Sequence, residues 1–509
     1  MRRTIYALII LMVSVSLFAQ TKLITYPVPE SEKALSCYHI TVNGKQVDCY
    51  KALSPQFWGG EYYFCYFDFE GEVEVKIYNS KGFYKILPYT VSPQDKSKAA
   101  EHVVGEVMPR SINAKITKNH IVFKQNKPFK AIITRNERGS GQAMPLIIFG
   151  NPIEKNVPKK DDPNVLYYDK GVHYSKKPIA LKDNQTLYLA GGAVLKAPVI
   201  TRDAKNLKIC GRGVISFDNR ERESTSCIRF YNCQNITVDG VIIKDSCAWT
   251  LAFFSSTDVL VNNLKICASR MINDDAIDLC NTSNVKIFDT FCRAQDDIVA
   301  IKGYWKSGEE VLKRKCPEGT PDRLNNLPVE NVLIENCIFW TDNANVFRIG
   351  YECYAPTFRN IRCKNLFIPF YSQKRKPEEL WTHALAFMQV NTDMTMEDIH
   401  FDGIEIRSNG VGFNLVVGIP HRVRSGEARA FGTIMPYGNI KNCSFKNINV
   451  YGAKTNDKDG HFEILLQGRT PEYMVKNIAI ENVKILGEKL TEKSPNVKIG
   501  KFTENITIK

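Results

Sequence analysis

After its first twenty residues the chain has no apolar run long enough to cross a membrane. It has no run rich in lysine and arginine either. The formal net charge is +14 over 509 residues, but the excess is spread along the chain, so it reads as solvated surface and not as a nucleic-acid track. No cysteine and histidine cluster has zinc-like spacing, so no metal site and no cofactor are expected. The 15 cysteines are odd in number and not densely spaced, which argues against a disulfide framework. Many lie inside apolar alternation, such as Cys210 and Cys267 in two copies of NLKIC and Cys337 in ENCIFW, where an unpaired thiol serves as a small hydrophobe.

The opening, MRRTIYALIILMVSVSLFAQ, has two arginines, an apolar run and Ala19 before Gln20. That is the layout of a secretory signal peptide, residues 1–19, and it implies export to the periplasm or the medium. No cysteine follows the run, so no lipid anchor is expected, and no membrane span remains after signal removal.

From Asn206 onward one phrase recurs: Asn or Asp, an aliphatic residue, any residue, then an apolar one. It starts at Asn206, Asn235, Asp258, Asn284, Asn331, Asn360, Asp398 and Asn477, with a looser copy at Asn439. The first intervals are 29, 23 and 26 residues, and the phrase alternates with a two-residue period and carries no helical pattern. Repeats of this length stack, because one turn alone cannot bury its apolar face. Asparagine suits the bends between short strands, where it tolerates left-handed backbone. The expected fold is all-β: a right-handed parallel β-helix over 166–509, preceded by a β-sandwich over 20–150 and a polar, proline-bearing linker over 151–165.

The repeat also serves as a ruler. DAIDL from Asp275 precedes DIVAI from Asp297 by 22 residues. Stacking the two places Ile277 and Leu279 on Val299 and Ile301 as inward residues. WTLAF from Trp249 fits one coil earlier and NVFRI from Asn345 one coil later. Asp275 then lies next to Asp297, with Asp296 beside it, and Asp278, Ala300 and Arg348 form a second outward file. Three like charges this close raise one another's pKa, so one is expected to hold a proton near neutral pH. A protonated carboxyl for a leaving oxygen and a carboxylate to activate water are the requirements for breaking a glycosidic bond.

NDDAID (273–278) resembles the N-T-D-G-x-D segment of polygalacturonase-like glycoside hydrolases, family 28, and QDDIVAIK (295–302) resembles their Q-D-D segment. SCAWTLAF around Trp249 is similar to their S-P-x-W-x-L segment. The resemblance implies that Asp275, Asp296 and Asp297 are the catalytic trio. Asp296 would be the proton donor, and Asp275 and Asp297 would activate water in an inverting hydrolysis. The family's G-H-G segment is absent, with Asn345 in its register position, and its R-I-K segment is not present, so the resemblance does not extend to pectin as substrate. The order of a β-sandwich and then an acid-bearing β-helix is similar to the dextranase and isopullulanase family, family 49.

The expected partner is a polysaccharide or oligosaccharide. Candidate substrate-binding residues are Trp249, Asn273, Asp278, Lys302, Trp305, Asn345, Arg348 and Tyr351. Trp305 belongs to a long insertion after Gly303, where a loop beside the acids would shape a cleft. Inversion leads to an expected carboxyl separation of about 6.5–9.5 Å. The rival readings are a polysaccharide lyase acting on a uronate polymer, with the acids holding calcium and Lys302 or Arg348 as base, and a non-catalytic glycan-binding solenoid.

Overall fold

The computed structural model describes residues 21–36, 38–55, 60–80, 82–83, 105–135, 145–222, 227–303, 327–353, 355–371, 375–376, 381–390, 394–408, 414–418, 438–452, 463–495 and 497–509. Among these there is no α-helix. The first part is a β-sandwich. A sheet built on the long strand Glu61–Glu70 faces a second sheet that contains Tyr38–Val42, Val73–Asn79 and His120–Gln125. Alternation sends Cys65, Phe67 and Phe69 inward from the first sheet against Ile40, Val75, Ile77 and Phe123 of the second.

The rest is a parallel β-helix. Its ten-stranded face runs through Val199–Arg202, Ile228–Tyr231, Leu251–Phe254, Ile277–Cys280, Val299–Gly303, Phe347–Cys353 and four further strands, all parallel. The remaining walls form one continuous twenty-stranded parallel sheet with a short antiparallel addition near the end. A single apolar column fills the interior from Leu181 to Ile508.

The asparagines at the start of each repeat explain the stacking. Asn206, Asn235, Asn284, Asn331 and Asn360 have φ of 59, 53, 57, 58 and 53°, a left-handed conformation that asparagine adopts more readily than other side chains. Each reaches the coil before. Asn235 Nδ2 donates to Asn206 Oδ1 at 2.8 Å, Asn331 to Asn284 at 2.9 Å and Asn360 to Asn331 at 2.7 Å. Asp258 takes its turn in the ladder and accepts from Asn284 at 3.1 Å. In the looser copy the ladder residue is Asn442, not Asn439. Cys443 pairs with Ile399, and Asn477 donates to Asn442 at 2.8 Å. The described cysteines are buried and form no disulfide.

The outer face of the first sandwich sheet lies on the β-helix. Tyr50, Tyr62, Phe64, Tyr66 and Phe149 pack against Val194, Ile242, Cys267, Phe291 and Trp340. Charged pairs border this apolar contact: Arg212 Nε donates to both oxygens of Asp68 at 2.9 Å, and Lys130 reaches Asp289 at 2.5 Å. The β-helix strands under the sandwich, Lys265–Cys267, Phe291–Ala294 and Ile338–Thr341, each lead into a bend that precedes the ten-stranded face. The sandwich therefore sits one bend away from the acids.

Candidate active site

The strand register agrees with the sequence ruler. Ile277 and Leu279 pair with Val299 and Ile301, Leu251 and Phe253 with Ile277 and Leu279, and Val299 and Ile301 with Phe347 and Ile349. Asp278, Ala300 and Arg348 share one file. The stacking continues through the entrance bends, where Ala276 N donates to Asp297 O at 2.9 Å and Ile298 N to Asn345 O at 3.1 Å. Asp275, Asp296 and Asp297 thus converge, and one carboxylate oxygen of each lies within 4.8 Å of the others. These nearest oxygens are closer than the separation of about 6.5–9.5 Å expected from inversion, and a carboxyl separation of about 5 Å is the retaining geometry. Adjacent coils are one strand spacing apart, about 4.8 Å, and that spacing fixes how far apart acids on neighbouring coils can be.

The three acids differ in surroundings. Asp296, half-buried, accepts backbone N–H groups from Asn273 at 3.1 Å and Asp297 at 2.9 Å. Burial, followed by the charges of Asp275, Asp297 and Asp274, pushes its carboxyl well above the usual range. Asp297, buried, accepts at Oδ1 from Asn345 N at 2.9 Å and Asn345 Nδ2 at 2.8 Å. It is raised by burial and by Asp275, with Arg348 and Lys302 opposing. Asp275 Oδ2 receives Lys302 Nζ at 2.8 Å, while its Oδ1 is buried with no hydrogen-bond partner. An unsatisfied buried carboxylate oxygen is costly, so Oδ1, like Asp278 Oδ2 on the same lysine, favours a hydroxyl or water as partner.

The other expected site residues fall at varied places. Lys302 Nζ also binds Asp278 at 2.8 Å and lies 3.6 Å from the Trp249 ring centroid, so one ammonium links Asp275 of the trio to Asp278. Asp278 is fully buried, and that burial pushes it up to about 8. Asn345 is engaged at both ends of its amide, with Oδ1 accepting from Ala384 N at 3.0 Å, and it clamps Asp297. Arg348 donates to Gln389 Oε1 at 2.6 Å and lies over the Phe387 ring at 4.2 Å. Trp249 is half-buried, and Asn273 is exposed and accepts from Arg222 at 2.9 Å. Tyr351 belongs to the strand Phe347–Cys353, and Trp305 lies outside the described residues. Among the described residues, only the trio groups acids or other ligating side chains closely enough to hold a metal ion.

Asp274 escaped the sequence reading, whereas Glu352 is a further candidate of the sequence beside Tyr351. Glu352 lies within the register shift where Ile301 pairs with Ile349 and Gly303 with Cys353, and a bulge of this kind re-aims side chains. It is raised by burial, with Lys302 and Arg348 opposing. Asp274 is fully buried and pushed up to about 7 by that burial. It accepts from the backbone of Ser269 at 2.7 Å, Gln295 at 2.7 Å and Asp296 at 3.0 Å. NDDAID shows a second acid beside Asp275, but it lies in a bend, where alternation does not specify which way a side chain points.

Residues 211–349 match the model of Glycosyl hydrolases family 28. Polygalacturonase-2 from Solanum lycopersicum is 32% identical over 81 residues, which is 16% of this chain and 18% of that protein. Dex49A from Penicillium minioluteum superposes with a TM-score of 0.66 at 14% identity, covering 96% of both chains. The Yersinia enterocolitica family 28 exopolygalacturonase gives 0.50 at 11% identity, also over 96% of both. At these identities the two structures speak for the fold, and the family-model match, which spans Asp275, Asp296 and Asp297, speaks for the acid-bearing coils. The segment that builds those coils is similar in sequence to family 28 glycosyl hydrolases, and 96% of the chain shares its fold with Dex49A.

Proposed function

We propose that the protein is an exported glycoside hydrolase that cleaves a polysaccharide or oligosaccharide by a single displacement. The observation that carries this reading is the trio of carboxylates on adjacent coils, with oxygens within 4.8 Å and Asp296 held well above its usual pKa. In this reading Asp296 gives its proton to the departing glycosidic oxygen. Asp275 and Asp297 take a proton from water, and the water oxygen bonds to the anomeric carbon as the glycosidic bond breaks. Lys302 and Asn345 hold one oxygen of each base and leave the other for water. Inversion is supported by the number of acids and not by their separation: two carboxylates remain to bind one water, whereas double displacement needs a single nucleophile.

The experiment is a panel of neutral and acidic polysaccharides incubated with the wild type and Asp296→Asn. It reads new reducing ends, ultraviolet absorbance and, by proton NMR, the first-formed anomer. Reducing ends without absorbance, lost in the variant and of inverted configuration, support the proposal. Absorbance from an unsaturated end would identify a lyase, and retained configuration would replace single with double displacement.

A further inference from the structure

We propose that Asp274 and the sandwich residue Tyr62 are positioning residues for the proton donor, so that the N-terminal sandwich is part of the catalytic scaffold and not a separate binding module. This rests on the reading that Asp296 is the donor. A continuous path of bonds joins the two domains. Tyr62 is fully buried, and its hydroxyl donates to Ala268 O at 2.7 Å, at the start of the bend that leads to Asp275. Its ring lies under the Arg293 guanidinium at 4.3 Å, and the Trp340 ring lies 4.5 Å from the same group. Arg293 Nε donates to Asp342 Oδ2 at 2.9 Å, Trp340 Nε1 to Asp342 Oδ1 at 2.7 Å and Ser269 Oγ to Asp342 Oδ2. Ser269, at φ 90°, is held in a conformation unfavourable for a residue with a Cβ, and its N–H goes to Asp274. The other Asp274 oxygen takes the N–H groups of Gln295 and Asp296.

Every residue on this path from Tyr62 to Asp274 is buried, and each polar contact fixes the next. The backbone that carries Asp296 is therefore tied to the sandwich through Asp274, Ser269 and Ala268. Asp297 is held from the opposite side by Asn345. A change in the Tyr62 path should consequently displace the acid more than the water-activating base. Displacement of about 1 Å is enough to slow a reaction about a hundredfold.

The test compares wild type, Tyr62→Phe, Asp274→Asn and Asp296→Asn on two substrates: the polysaccharide found by the panel, and the glycosyl fluoride of the same sugar and configuration. Fluoride departs with little need of a proton, so its cleavage does not depend on a well-placed acid. Tyr62→Phe and Asp274→Asn should lower kcat on the polysaccharide by about 10–100-fold with KM unchanged, and leave the glycosyl fluoride rate near that of the wild type. Equal losses on both substrates would mean that the path only supports folding, and unchanged kcat on both would mean that it does nothing for the site; either result overturns the proposal. If Asp274→Asn does not fold, Tyr62→Phe decides the matter by the same comparison. Wild-type turnover by Asp296→Asn would instead remove the donor assignment, whatever the Tyr62 variant does.

Discussion

Lys302 is the cation on which two buried carboxylates depend, Asp275 and Asp278, both at 2.8 Å. Lys302→Met keeps an unbranched side chain and removes the charge that lies over the Trp249 ring. The expected result is loss of turnover together with a destabilisation of about 3–5 kcal/mol, the cost of leaving a buried charge without its partner, read from urea unfolding. Titration of the trio gives a second expectation. Asp297 must be ionised to activate water, and its raised pKa means that this form is lost as the pH falls through a value above the ordinary carboxylate range. Asp296 must be protonated, and its strongly raised pKa keeps the proton to higher pH, until the rate falls as the pH rises through that value. A kcat/KM profile should therefore be bell-shaped with both limbs displaced upward. A low-pH limb at or below about 4, the usual range for aspartate, would contradict the environment described for Asp297.

At the scale of the repeat, the asparagine ladder closes each coil onto the last. Asn331 has φ 58°, donates to Asn284 and accepts from Asn360. Asn331→Ala loses both bonds and keeps an unfavourable left-handed residue, with an expected loss of about 1–3 kcal/mol. Asn331→Gly loses the bonds but not the conformational ease, and should unfold at a urea concentration between those of the alanine variant and the wild type. The ladder was legible in the sequence because both its spacing and its residue type are local. The copy at Asn439 was misread by three residues: NIKNCSF holds two asparagines, and only the pairing of Cys443 with Ile399 selects Asn442.

For the whole molecule, the aromatic face of the sandwich and the wall of the β-helix form one interior. A chain beginning at residue 160 would expose Val194, Ile242, Phe291 and Trp340 together, a patch of the kind that drives association. It is expected to aggregate when purified or to elute above its monomer mass on size exclusion. A monomeric, thermally stable fragment would show that the two domains fold independently. The same contact underlies the role proposed for the sandwich, which its own sequence did not suggest, since the residues that join the domains, such as Tyr62 and Arg293, are separated by more than two hundred positions.

The sequence by itself determined the solenoid, its register and the meeting of Asp275, Asp296 and Asp297, because a two-residue alternation repeated coil after coil allows each strand to be laid on the next without reference to anything distant. What only the tertiary structure decided is how each acid is held. Burial of Asp274, the division of Lys302 between Asp275 and Asp278, the clamp of Asn345 on Asp297 and the reach of Tyr62 to Ala268 all depend on the direction and depth of side chains at irregular bends. There alternation no longer specifies orientation, and the neighbours are supplied by packing between segments remote in the chain.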